Sequence, residues 1–148
     1  MTCTVRTRDD SATEQLGRDL VSKLGPGTVI ALSGPLGSGK TVFVRGVARG
    51  LGIDEPVTSP SFTIVSEYSA PIPLVHVDLY RTGSDEELEL LGLDDILDRA
   101  AIIAIEWAEK AESFLADGAP TIVRVALRID GDEREITIAG AEIDGPCH

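Results

Sequence analysis

One run of eight residues carries the most specific chemistry in the chain. Gly34-Pro35-Leu36-Gly37-Ser38-Gly39-Lys40-Thr41 fits the pattern of glycine, four residues of any type, then glycine, lysine and a hydroxyl residue. Glycines at the turns let backbone N–H groups point inward around phosphate oxygens with no Cβ in the way. A helix opening at the end of the loop adds unpaired N–H donors and the positive end of its dipole. In such a setting the Lys40 ammonium bridges β- and γ-phosphate oxygens, and the Thr41 hydroxyl is a ligand for Mg²⁺. The segment therefore implies binding of a nucleotide's phosphates.

A phosphate loop also needs a carboxylate that holds the metal, directly or through water, at the end of a neighbouring buried strand. Two positions qualify: Asp78 closes the run Leu74-Val75-His76-Val77, and Glu106 closes the run from Ala101 to Ile105. Spacing leaves the choice between them open, and either could instead cap a helix or pair with Arg81. His76 reads equally as a satisfied sheet histidine or as part of the site. Arg81 would reach a γ-phosphate or pair with Glu86 or Glu87. Ser61 and Thr63, after the turn at Pro60, could position a water near the γ-phosphate or simply belong to a hydroxyl-rich loop, and Trp107 reads as core. The acidic run Asp85-Glu86-Glu87-Leu88-Glu89 is a solvated helix face or, on a sharper reading, a docking face for a basic partner.

These residues need a scaffold, and the patterning supplies one. Thr2 to Thr7 is compatible with a strand. Ser11-Ala12-Thr13-Glu14 fits a capping box, followed by Leu16, Leu20 and Leu24 at helical spacing and the stop Gly25-Pro26-Gly27. Thr28 to Ser33 reads as a buried strand entering the loop, and Phe43, Val44, Val47 and Leu51 mark the inner face of the helix leaving it. Strands are expected over Phe62–Tyr68, Leu74–Leu79 and Ala100–Ile105, with helices over Ser84–Asp98, broken at Gly92, and Trp107–Ala116. Thr121–Ile129 and Glu133–Ile138 alternate apolar and polar residues around Asp130-Gly131-Asp132, a hairpin signal. The expected fold is α/β: a P-loop NTPase-like mixed sheet with helices on both faces and a C-terminal antiparallel hairpin. Residues 1–148 read as one domain.

Composition narrows the function classes. Thirteen Lys and Arg against 25 Asp and Glu give a net charge of −12, which argues against independent binding of tRNA or any other nucleic acid. The longest apolar run, Ala100 to Ile105, is far below the roughly 20 residues of a membrane helix, and no secretory signal is readable, so a cytoplasmic protein is expected. Cys3 and Cys147 read as two reduced thiols, and His76 and His148 are too isolated for a zinc site.

The motifs Gly34-x-Leu36-Gly37-x-Gly39-Lys40-Thr41, Ser59-Pro60-Ser61-Phe62-Thr63, His76-x-Asp78-Leu79-Tyr80-Arg81 and Glu106-Trp107, in that order, resemble the TsaE (YjeE) family. The likeness runs from about Thr13 to Arg134. It implies an ATPase that uses ATP and Mg²⁺ and works with a TsaB–TsaD pair to form threonylcarbamoyladenosine in tRNA. By that resemblance Thr41 and Glu106 are the metal ligands, and Lys40, Asp78 and Glu106 carry catalysis. Thr13, Gly34, Leu36, Gly37, Ser38, Gly39, Lys40, Thr41, Val42 and Arg134 then contact the nucleotide. Two departures stand out: Ser61 replaces a common threonine, and Ala108 follows Glu106-Trp107 where proline is common. No arginine is obviously aligned to complete the site, Arg81 being the candidate, so slow hydrolysis alone and stimulation by partners are expected. The competing readings are a small-molecule kinase, which lacks an arginine-rich lid here, and a nucleotide-dependent assembly factor without turnover. A GTPase is disfavoured because no Asn-Lys-x-Asp or Thr-Lys-x-Asp sequence occurs.

Overall fold

The computed structural model describes residues 2–59, 64–118 and 121–140. Thirteen elements follow one another: β1 (Thr2–Thr7), α1 (Asp10–Val21), β2 (Thr28–Ser33), α2 (Lys40–Gly50), β3 (Val65–Tyr68), β4 (Leu74–Asp78), α3 (Asp85–Leu91), α4 (Leu93–Leu97), β5 (Ile102–Glu106), a 3-10 turn (Ala108–Ala111), α5 (Glu112–Gly118), β6 (Thr121–Asp130) and β7 (Glu133–Ala139). The strands form one sheet of seven in the order β1-β7-β6-β2-β5-β4-β3. Strands β4, β5, β2 and β6 run parallel, while β3 pairs antiparallel with β4, and β7 pairs antiparallel with both β6 and β1. The expected mixed sheet and C-terminal hairpin are both present.

Period-two alternation gives this sheet two cores. From β2, Ile30 and Leu32 face one side with Leu16 and Leu20 of α1 and Phe43, Val44 and Val47 of α2. Val29 and Ala31 face the other side, with Val75, Val77, Ile103 and Ile105 from neighbouring strands and Leu88, Leu93, Leu97 and Leu115 from α3, α4 and α5. Both faces of the central strands are therefore covered, as their continuous apolar composition requires. Helices α1 and α2 meet through their glycines: a Cβ on Gly46 would lie 1.8 Å from the Glu14 carbonyl oxygen, and one on Gly17 would lie 2.3 Å from that of Phe43.

The structure corrects several boundaries. The cap of α1 is Asp9, whose carboxylate accepts from Ala12 N at 2.8 Å, in place of the expected Ser11. Asp caps as well as Ser, and the earlier start puts Asp10 in the first turn beside the positive end of the helix dipole. Strand β5 is shifted to Ile102–Glu106, and the helix expected from Trp107 divides into the 3-10 turn and α5. Cys3, buried in β1, is disulfide-bonded rather than a reduced thiol; Cys147 and His148 lie outside the described residues. Among the described residues no helix is long and apolar enough to cross a membrane.

Gly46→Ala is expected to destabilise the fold by about 1–3 kcal/mol, because two helix backbones must separate to admit one methyl group. That outweighs the gain of up to ~1 kcal/mol in helix propensity. A urea midpoint at or above that of the parent would contradict the packing described.

Candidate functional site

The loop Gly34–Gly39 leaves the central strand β2 at its carboxyl end and passes straight into α2. Its backbone needs glycine at two points in particular. Gly34 has φ +146°, and a Cβ there would lie 2.5 Å from the Leu127 carbonyl oxygen and 2.7 Å from the buried Ser38 Oγ. Gly39, at φ +100°, is the left-handed residue before α2 and offers no side-chain cap, leaving the first-turn N–H groups of α2 without one. Leu36, 63% exposed, stands at the tip of the loop.

Lys40 is buried beneath the loop. Its ammonium donates to the carbonyl oxygens of Gly34 at 2.6 Å and Pro35 at 2.9 Å and sits 4.2 Å from the centre of the Trp107 ring. Burial pushes the ammonium below the ordinary lysine value, and the carboxylates of Glu106, Glu109 and Asp78 pull it back up. Thr41 Oγ1 lies 3.0 and 2.9 Å from the two carboxylate oxygens of Glu106 and donates to that group. Glu106 Oε2 is in turn 2.6 Å from His76 Nε2.

Sheet register explains this meeting. Asp78 pairs with Glu106 and His76 with Ala104 across the parallel strands β4 and β5. Leu74, Ile102 and Ala104 point to the core shared with α1 and α2, so by alternation His76, Asp78 and Glu106 point to that same side. The two carboxylates thus stand at the carboxyl ends of adjacent strands, on the face where α2 begins. Asp78 is held differently from Glu106: it accepts from Ser59 Oγ at Oδ2 and from Tyr80 N, 3.0 Å away, at Oδ1.

Around these groups opens a cavity of about 1000 Å³ whose walls include Leu36, Gly37, Gly39, Lys40, Thr41, Val42, Asp78, Glu106 and Arg134 among the residues the sequence marks. Arg134 reaches it from β7 and donates to the Gly37 carbonyl oxygen at 3.1 Å. Gly34 and Ser38 shape the loop from behind. Thr13 is buried against Thr7, with 2.7 Å between the hydroxyls, and does not line the cavity. Ser61 and Thr63 lie outside the described residues.

Sequence reasoning missed Asp10, and although Tyr80 and Ser59 stand in the quoted motifs it gave neither its contact with Asp78 or Trp107. Tyr80 stacks on Trp107 with ring centres 5.0 Å apart, and both line the cavity with Arg81. The backbone beneath this aromatic wall is unusual: Trp107 has φ +59°, and Ile64, whose carbonyl accepts from Asp78 N at 2.8 Å, has φ +66°. Conformations of this kind cost about 1–3 kcal/mol each and gather at functional sites. Lys110 fixes the opposite end of the wall by donating to the carbonyl oxygens of Tyr80 at 2.6 Å and Thr82 at 3.0 Å. No local sequence pattern signals such contacts, because each joins separate elements.

Oxygen donors from Thr41 and Glu106 beside a phosphate loop suit a hard divalent cation that completes its shell with phosphate and water, as Mg²⁺ does. Among the described residues no group of three or more His, Cys, Asp or Glu forms a closed metal cage.

The fold and this loop together define a P-loop NTPase-like α/β protein. The family model described as threonylcarbamoyl adenosine biosynthesis protein TsaE matches residues 7–136, and the chain belongs to the TsaE family. It is 39% identical over 140 residues to the tRNA threonylcarbamoyladenosine biosynthesis protein TsaE of Treponema pallidum, covering 94% of this chain and all (100%) of the relative. The protein of the same name from Bacillus subtilis is 41% identical over 133 residues, 89% of this chain and 82% of its own. The crystal structure of Bacillus subtilis YdiB superposes with a TM-score of 0.78 at 32% identity, covering 95% of this chain and 87% of that one.

Thr13→Val keeps the volume of the side chain and leaves the buried Thr7 hydroxyl without its partner. It is expected to lower stability by about 1–3 kcal/mol in urea unfolding. An unchanged midpoint would show that the hydroxyl pair contributes nothing behind the loop.

Proposed function

We propose that this chain binds Mg²⁺–ATP in the cavity and hydrolyses it in the service of threonylcarbamoyladenosine formation in tRNA, working with a TsaB–TsaD pair that raises its slow intrinsic turnover. The observation that carries the reading is the convergence of Lys40, Thr41, Asp78 and Glu106 on one cavity of about 1000 Å³, at the carboxyl ends of parallel strands. That volume is at the upper end of the range for small-molecule pockets, roughly 300–1000 Å³, and ligands of open α/β sheets bind at this edge.

Phosphoryl transfer to water depends on positioning and on neutralising charge. The ammonium of Lys40 exchanges the carbonyl oxygens of Gly34 and Pro35 for β- and γ-phosphate oxygens, while loop N–H groups and the start of α2 surround the remainder. Thr41 and Glu106 would hold Mg²⁺, which would add to the neutralisation of the phosphate charge. Asp78, kept in place by Ser59 and the Tyr80 amide, orients the attacking water near the γ-phosphate. Water attacks phosphorus as the bond to the β-phosphate oxygen breaks, giving ADP and inorganic phosphate. Val42 and Arg134, which donates to the Gly37 carbonyl oxygen, also line the cavity and would meet the nucleotide there. A docked partner would close the exposed wall at Tyr80 and Arg81, and completing a site in this way is worth several orders of magnitude in rate. The family's part in threonylcarbamoyladenosine biosynthesis supports the choice of partners.

Lys40→Ala should reduce phosphate release in the presence of the TsaB–TsaD pair by about 10²–10³-fold, the usual effect of removing one charge-stabilising donor. Unchanged release would remove the loop from the mechanism. Chelating Mg²⁺ with EDTA should stop turnover and weaken ATP binding, both read by calorimetry and phosphate assay. Metal-independent turnover would exclude Thr41 and Glu106 as ligands.

A further inference from the structure

His76 is fully buried, lies outside the cavity wall, and still reaches the site. Its Nε2 is 2.6 Å from Glu106 Oε2, whereas its Nδ1 has no hydrogen-bond partner. An imidazole in the middle of an apolar sheet is an expensive residue if its purpose is packing, since each unpaired polar atom is costly to bury. An unpartnered Nδ1 costs least as a bare lone pair, which leaves the ring hydrogen on Nε2, aimed at the carboxylate. The register makes this possible. His76 lies opposite Ala104, whose single methyl group leaves room for the ring to lean one rung along the strand toward Glu106.

The Glu106 carboxylate is thereby gripped from two sides, by Thr41 Oγ1 from α2 and by His76 Nε2 from β4. Either contact alone leaves the group free to turn about its last bond. Together they hold its plane facing Thr41 and the cavity.

We propose that His76 is a positioning residue: its Nε2–H fixes the orientation of the Glu106 carboxylate and so sets the affinity of the Thr41–Glu106 pair for a divalent cation. The inference rests on the metal site assigned under the proposed function. Hydrogen-bond partners of metal ligands act in this way, and losing one costs about 10–100-fold in metal affinity.

The test compares ADP binding by calorimetry in Mg²⁺ and in EDTA, the ratio of the two dissociation constants measuring the coupling to metal. His76→Leu should lower that ratio about 10-fold or more while leaving metal-free ADP binding unchanged, and His76→Gln, which restores a donor, should recover much of it. Glu106→Gln serves as the reference. A folded His76→Leu protein with full coupling, beside a Glu106→Gln protein that has lost it, overturns the role of His76. Full coupling in Glu106→Gln instead overturns the metal assignment itself. If His76→Leu does not fold, the ¹⁵N spectrum of the parent imidazole decides. Hydrogen on Nε2, with an Nε2 shift that moves on adding Mg²⁺ to the ADP-bound protein, supports the proposal. Hydrogen on Nδ1, or an Nε2 signal indifferent to Mg²⁺, overturns it.

Discussion

The carboxylate of Glu106 is the point at which loop, helix and sheet are tied together. It accepts from Thr41 at the start of α2 and from His76 within β4, and it belongs itself to β5. Three elements far apart in the chain must therefore arrive in a single register. Moving β5 by one residue against β4 would turn Glu106 to the opposite face of the sheet and break both bonds at once. The position of β5 between β2 and β4 is thus a condition for the site as well as for the core.

Packing on the helical face serves the same end. Gly17 and Gly46 let α1 and α2 approach closely, while Thr13 of α1 meets Thr7 of β1 and Asp10, at the start of α1, lines the cavity. On the other flank the β6–β7 hairpin carries Arg134 to the carbonyl oxygen of Gly37. The hairpin is far from the loop in sequence, yet it braces the loop's tip. The aromatic wall of Tyr80 and Trp107 is held by Lys110 and by a left-handed turn at Trp107, a conformation that a residue of this size adopts only under strong surrounding constraint.

Much of this was legible in the sequence wherever a local rule applied. The loop was readable because its chemistry dictates both residue types and spacing, and the central strands because burial on both faces demands continuous apolar runs. The cap of α1 was misread because Asp9 and Ser11 satisfy the same rule two positions apart, and tertiary packing decides between them. The choice between Asp78 and Glu106 was left open by spacing and came only from the family resemblance. In the structure the two differ by their partners, Ser59 and Tyr80 against Thr41 and His76. Tyr80 follows Asp78 by two residues, but Ser59, Thr41 and His76 come from other elements, as does Lys110 for Tyr80, and no window of neighbouring residues contains those four.

The central claim is that a phosphate loop tied to the sheet through Glu106 forms an ATPase completed by its partners. It is tested most directly by measuring ATP turnover by the purified chain with Mg²⁺, alone and after adding the TsaB–TsaD pair. Near-zero turnover alone and clear stimulation by the pair are predicted. Rapid turnover by the isolated chain, or none under either condition, would contradict the account.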